Sequence, residues 1–331
     1  MRMPQIKDDI AAENCFDFLR LFLAISVFCG HYDKLQGVDF LNFPLSLPMS
    51  VSGFFVISGI LIYRSYCRSS SLKSFFMKRV KRIFPAYVLA VVLSALLFSL
   101  VSDLPASEYF LSRDFFRYLA ANLTTLNFLQ PNLPGVRGVE AINPSLWTIK
   151  IEFILYLLVP LFAFLFDGKR RCLSLVAVAV VSSFSVFLRW EAEVSGVSSY
   201  DLLGKWISLA ACFLAGVSVF LFRSELKRYK WFLFVPSLPL LVMDGYPVEL
   251  IRPFAMGSAI YFLAFTLSPL NAFGKIGDLS YGTYVFHGPI VNMTICMGWS
   301  VCLGNFLLTF LVVLLAASLS WHLMEKRVLG R

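Results

Sequence analysis

The chain has 331 residues, 58% of them hydrophobic and only 15% charged, with a mean hydropathy of +0.75, which excludes an ordinary soluble domain. A net charge of +9 would suit a nucleic-acid binder, but the basic residues sit in short connectors between apolar runs, where membrane topology accounts for them. Nucleic acid is set aside as a partner, and residues 1–331 read as a single membrane-embedded domain with no fused soluble C-terminal domain.

Asp8, Asp9 and Glu13 precede the first apolar run and no small-residue cleavage site follows it, so the first helix is expected to be retained. Runs able to cross about 30 Å of hydrocarbon lie near 15–33, 48–66, 85–102, 145–166 and 172–189, then 203–222, 229–243, 248–268, 281–298 and 302–324. The seventh is the shortest. The expected fold is an all-α polytopic bundle of about ten transmembrane helices with both termini cytoplasmic. Lys and Arg support that count, because alternate loops taken as cytoplasmic hold twenty of them and the external loops hold four: Lys34, Arg113, Arg117 and Arg137.

The longest external segment, 103–144, contains Asn122, Asn127, Pro131, Asn132, Pro134 and Gly135, a composition for an irregular loop with one short interfacial helix around 108–120. Acceptor substrates would meet the protein here. The seven cysteines show no CxxC pair and no metal-ligand spacing, so no metal is expected. Cys296 and Cys302 flank a short external loop, where a disulfide is an option and free thiols are the leading expectation. No internal repeat with matched broken helices is visible.

A charge at membrane depth costs about 2.5–3.5 kcal/mol on insertion scales and marks a functional site by default. Arg20, His31, Lys150 and Glu152 are such residues. Arg20 and His31 are eleven residues apart on the first helix, which returns to within about 20° of azimuth and separates them by roughly 16 Å along the axis. One helix face thus carries a permanent cation toward the cytoplasm and a titratable imidazole toward the outside, unless Arg20 merely snorkels and His31 bonds at the interface. Glu152 lies about two turns inside the fourth run. Beside His31 it would fix the imidazole tautomer and raise its basicity, while pairing with Lys150 would make it structural.

Tyr284 and His287 are neighbours at i and i+3 in Ser280-Tyr281-Gly-Thr-Tyr284-Val-Phe-His287, with His287 expected nearer the cytoplasmic face; His322 reads as interfacial. The loop from Arg64 to Arg82 adds seven cations, suited either to a polyanionic cytoplasmic ligand or to topology and anionic lipid.

Together these motifs resemble the acyltransferase type 3 family of bacterial membrane proteins. Asp17-Phe-Leu-Arg20 followed by His31 resembles its R-x10-H signature. Phe54-Phe55-Val-Ile57-Ser58-Gly59, Arg79-x-x-Arg82-Ile-Phe-Pro85, Ser145-Leu-Trp147-Thr with Glu152 and Tyr156, and Ser280-Tyr281-x-x-Tyr284-x-x-His287 follow in order. The terminal Trp321-x-x-x-Glu325-Lys326 is similar too, although Arg327 stands where a proline is often found.

The resemblance implies transfer of an acyl group, most often acetyl from acetyl-CoA, to a sugar hydroxyl of a surface polysaccharide such as lipopolysaccharide O-antigen, in the bacterial inner membrane. On that reading Arg20, Arg79 and Arg82 bind the phosphates of the acyl-CoA donor. His31 is general base and Glu152 orients it, with Ser58, Trp147, Tyr284 and His287 in support. The partners are then acyl-CoA, a lipid-linked or surface glycan acceptor, and membrane lipids. Direct transfer and an acyl-enzyme relay both fit these residues. The competing expectation is a transporter or exporter that uses Arg20, His31 and Glu152 as a proton or substrate path.

Overall fold

Helices make up all of the regular secondary structure among the described residues, and each of the ten apolar runs overlaps one of 18 residues or more. The computed structural model describes residues 14–41, 43, 45–267, 270 and 277–330, so Asp8, Asp9, Glu13 and Lys275 lie outside the described residues. In chain order the long helices are α1 (Phe16–Gln36), α2 (Leu47–Cys67), α3 (Leu72–Leu97), α6 (Leu146–Leu165), α7 (Cys172–Ser195), α8 (Ser198–Leu221), α9 (Arg223–Val242), α10 (Tyr246–Thr266), α11 (Leu279–Cys296) and α12 (Leu303–Ser320). Short helices α4 (Ala106–Leu111) and α5 (Arg113–Leu123) lie between α3 and α6, and α13 (Lys326–Leu329) follows α12. No strand occurs among the described residues.

Seven of the long helices, α2, α3, α6, α7, α8, α10 and α12, are long and apolar enough to cross a membrane. The other three differ in composition. Every 18-residue window of α1 holds at least three of Asp17, Arg20, Asp33 and Lys34, α9 opens with Arg223, Glu225, Lys227, Arg228 and Lys230, and α11 carries Ser280, Thr283, His287 and Asn292. Large apolar side chains point outward along α6 (Leu157, Leu161, Phe164), α7 (Val176, Val180, Phe184) and α12 (Leu307, Leu311, Leu315). Such continuous apolar outer faces belong to a multi-pass membrane protein, whose surface meets lipid rather than water.

Two compact units divide the chain. The first comprises the described residues of Met1–Arg20, Pro48–Phe76 and Ile151–Gly274. Within it α7 packs on α8, and α10 packs on α7, α8 and α9. Cys15 donates its N–H to the Ala264 carbonyl (3.0 Å), tying the start of α1 to the end of α10. α2 and α8 meet backbone to backbone: a Cβ on Gly59 would overlap the Phe213 carbonyl oxygen, and one on Gly216 the Val56 carbonyl oxygen. This is the small-residue crossing that lets helices approach closely where hydrocarbon offers no hydrophobic drive.

The second unit comprises Leu21–Leu47, Met77–Lys150 and the described residues of Lys275–Arg331. Here α11 packs on α12. Phe28, Cys29 and Tyr32 of α1 share a core with Val291 of α11 and Val313 of α12, flanked by Phe306 and Phe310. The segment 103–144 departs from the single helix expected at 108–120. Ser112 takes extended backbone, ends α4, and accepts the Phe115 N–H (3.1 Å) with its hydroxyl, which caps α5 and splits the helix in two. Buried tyrosines pin the segment: Tyr109 donates to the Ala95 carbonyl (2.8 Å) and Tyr87 to the Asn122 carbonyl (2.5 Å). Cys296 and Cys302 form no disulfide. Both thiols are free, and Cys296 Sγ donates instead to the Arg137 carbonyl (3.5 Å).

Candidate functional site

The sequence places His31 and His287 at different depths, and the structure corrects this by bringing them together in the second unit. His31 Nδ1 lies 2.7 Å from His287 Nε2, with both rings buried, His31 7% and His287 0% exposed. The ring planes are within 19° and the centroids 4.9 Å apart. With nitrogens at hydrogen-bonding distance, this is an edge-to-edge pair. The depth changes because α11 begins at Leu279, so His287 falls about two turns in, at mid-helix, rather than at its mouth.

A local defect in α11 sets the height of His287. Pro289 has no N–H to give the Val285 carbonyl four residues back. The Asn143 side-chain amide donates to that carbonyl instead (2.9 Å). Asn143 Oδ1 in turn accepts from the Ser145 N–H (3.2 Å) and hydroxyl (2.6 Å), and the same hydroxyl lies 3.2 Å from the Tyr284 carbonyl. Thr148 Oγ1 and the Tyr284 hydroxyl are 2.6 Å apart. Asn292 donates to the carbonyls of Ala141 (2.8 Å) and Ile142 (3.1 Å). The approach is close enough that a Cβ on Gly288 would sit 2.8 Å from Asn143 Oδ1. The Asn143-Pro-Ser145-Leu-Trp147-Thr148 stretch and the Ser280-to-His287 stretch, two separate motifs in the sequence, are thus one hydrogen-bonded assembly. Trp147 is half-buried beside it, and the Tyr284 ring stands edge-on to His287 at 5.8 Å.

Glu152 belongs to the first unit, where Ser58 Oγ donates to its Oε1 (2.8 Å) and the Tyr156 hydroxyl donates to the same oxygen. Ser58 and Tyr156 are also within 3.1 Å of each other. Two hydroxyl donors on one carboxylate oxygen fix the side chain. The expected pairing of Glu152 with His31 joins residues of different units and stays an expectation. The imidazole nitrogen Nδ1, however, already has His287 as partner. Lys150 Nζ lies over the Phe128 ring at 4.7 Å.

Of the three expected phosphate binders, Arg82 is anchored. Its Nη1 donates to Glu325 (2.8 Å) and its Nη2 to Asp278 (2.6 Å), with the guanidinium 5.3 Å from the Tyr281 ring centroid. Glu325, 1% exposed, also accepts from Ser320 (2.9 Å), and Asp278 from Ser280 (2.7 Å). A π-helical turn, Trp321–Glu325, aims Glu325 inward. Arg20, on α1, pairs with Asp17 at 3.6 Å, and Arg79 is half-buried on α3. Among the described residues no three His, Cys, Asp or Glu side chains assemble into a metal site.

Asp278, Thr283 and Asn292 are the site residues that sequence reasoning passes over. The proline inside α11 and the Asn-Pro-Ser before α6 are the signals that point to them.

A family model described as an acyltransferase domain matches residues 13–325. The chain is 27% identical to nodulation protein 10 of Rhizobium leguminosarum bv. viciae over 351 residues, covering 98% of this chain and 95% of that protein. It is 28% identical to the O-acetyl transferase of Shigella phage Sf6, covering 96% of each. It is 25% identical to the O-acetyltransferase OatA of Staphylococcus aureus (strain NCTC 8325 / PS 47), covering 94% of this chain and 56% of that protein. No solved structure matches the chain.

Proposed function

The chain belongs to the acyltransferase type 3 family and is a membrane O-acyltransferase, and from that premise we propose that it moves an acetyl group from cytoplasmic acetyl-CoA to a sugar hydroxyl of a surface glycan such as lipopolysaccharide O-antigen. The observation that carries the reading is the buried His31–His287 pair, held by the two motifs around it.

The proposed topology has ten crossings, α1, α9 and α11 joining the seven most apolar helices, in a bacterial inner membrane with both termini cytoplasmic. Burial supports this for α1 and α11, whose charges and imidazoles lie on helices packed largely against protein, while α9 buries Ser237 alone among its described residues and carries its charges in its first two turns. Acetyl-CoA, when bound, supplies an activated thioester carbonyl. Arg20 and Arg79 on the cytoplasmic side suit its phosphates by charge and by guanidinium geometry. Arg82 keeps its place in the motif but acts as an anchor, since its two carboxylate partners already neutralise it.

His31 removes the proton from the acceptor hydroxyl as that oxygen attacks the acyl carbon, and returns a proton to the departing sulfur. Glu152, held by Ser58 and Tyr156, is retained as the second proposed catalytic residue. The acceptor is a lipid-linked or surface glycan meeting the external segment 103–144.

The deciding experiment is mass spectrometry of cell-surface polysaccharide from the host with the gene deleted, then complemented by wild type or by His31→Ala. Loss of an acetyl-sized mass, restored only by wild type, is the expected result. An unchanged acylation pattern in the deletion strain would overturn the glycan assignment.

A further inference from the structure

The tautomers of the two histidines are set by a group that does not titrate. His287 Nδ1 lies 3.2 Å from the Thr283 carbonyl oxygen, one turn back on α11. A carbonyl only accepts, so this nitrogen carries the hydrogen, and the neutral His287 ring has its lone pair on Nε2. That lone pair meets His31 Nδ1 at 2.7 Å. His31 Nδ1 is therefore the donor, and the neutral His31 ring has its lone pair on Nε2, on the far side of the ring from His287.

We propose that His287 is the positioning residue that makes Nε2 of His31 the proton acceptor, through the chain Thr283 carbonyl, His287, His31. It does for His31 what a buried aspartate does for the histidine of a hydrolytic triad, holding the ring and selecting its tautomer by accepting the Nδ1 hydrogen. The difference is charge. Both rings are buried among apolar helices, where a neutral acceptor avoids the desolvation cost that a carboxylate would carry.

The acceptor's O–H bond breaks and its proton goes to His31 Nε2. The freed oxygen forms the new C–O bond as the thioester C–S bond breaks, and the Nε2 proton leaves with the sulfur. Throughout, the Nδ1 hydrogen of His31 stays between two imidazole nitrogens, so positive charge is shared by two rings and the starting tautomers return. This rests on His31 being the general base and specifies which of its atoms acts and what holds it.

Histidine occurs only at positions 31, 287 and 322, so full-length His322→Gln protein labelled with nitrogen-15 histidine and reconstituted in lipid nanodiscs contains two imidazoles. Nitrogen chemical shifts separate protonated from bare ring nitrogens, and a His287→Gln sample assigns the peaks. Both neutral rings are expected to carry hydrogen on Nδ1 and a lone pair on Nε2. A neutral His31 protonated on Nε2 would overturn the proposal whatever the substrate, which separates its failure from that of the transferase reading.

Kinetics add a second arm. His287→Leu fills the space without an acceptor and is expected to lower kcat by about 10²–10⁴-fold, with the donor KM unchanged within about twofold. His287→Gln restores an acceptor near the Nε2 position and is expected to recover at least about tenfold of that loss. Equal kcat in the two variants would also refute the positioning role.

Discussion

The side-chain amide of Asn143 completes a helix 142 residues away: it donates to the Val285 carbonyl that Pro289 leaves without a partner. Asn143→Ala should strand that buried carbonyl and cost about 1–3 kcal/mol. In Asn143→Ala/Pro289→Ala the restored N–H of residue 289 can serve Val285 again, so the double variant should melt at a higher temperature than Asn143→Ala alone. Thermal unfolding in detergent measures both. Additive losses would mean that Asn143 does not act through the proline gap.

Arg82 should separate from Arg20 and Arg79 in the kind of damage its loss causes. Removing its guanidinium leaves Glu325 buried without its countercharge, a loss of about 3–5 kcal/mol. Arg82→Ala is expected to reduce the amount of folded protein, and Arg82→Met/Glu325→Leu to restore much of it, read by size-exclusion recovery from membranes. Arg20→Ala and Arg79→Ala should raise the donor KM about 10–100-fold, the worth of one charge-assisted bond each. An Arg82→Ala protein that folds normally with only a raised KM would return Arg82 to the phosphate site.

The positions of the long helices are legible in the sequence because apolar length is a local property: each of α1 to α3 and α6 to α12 overlaps a run visible in the residues, although α3 begins at Leu72, well before the 85–102 run, and so places Arg79 and Arg82 on a helix rather than in the expected loop. The candidate residues His31, Glu152 and His287 are legible too, since polar groups in such runs are conspicuous. Their partners are not. His31 and His287 are 256 positions apart, and nothing in either neighbourhood fixes the register of α1 against α11. Arg82 illustrates the same limit, because its motif is visible but the carboxylates that occupy it, Asp278 and Glu325, lie 196 and 243 residues on. Glu325 turns inward only through a π-helical turn, which no periodicity announces.

Ser58 and Tyr156 both donate to Glu152 Oε1, so their loss should affect catalysis through the carboxylate. Ser58→Ala and Tyr156→Phe each remove one hydrogen bond to a charged acceptor, worth about 1.5–3 kcal/mol, and should lower kcat about tenfold or more. Because both bonds end on one oxygen, the double variant should fall short of the product of the single effects. Steady-state acetyl transfer with purified protein measures this, and independent, multiplicative losses would show that the two hydroxyls act separately.

Cys172 and Cys302 are both exposed free thiols, and the ten-crossing topology places them on opposite sides of the membrane. Cys172 begins α7, after four crossings from a cytoplasmic terminus, and so faces the cytoplasm. Cys302 precedes α12, after nine crossings, and so faces outward. A membrane-impermeant maleimide added to intact spheroplasts should therefore label Cys302 in a variant retaining only that cysteine. The variant retaining only Cys172 should label only after permeabilisation. The test bears on α1, α9 and α11, whose composition alone does not qualify them as spans: if one of the three failed to cross, the parity downstream would invert. A single failure at α9 or α11 would leave Cys172 inside and bring Cys302 inside with it, whereas failure of α1 would exchange the two thiols relative to the N-terminus. Labelling of both from one side, or of Cys172 alone from outside, would thus reject the ten-crossing arrangement and identify which part of the chain had been misplaced.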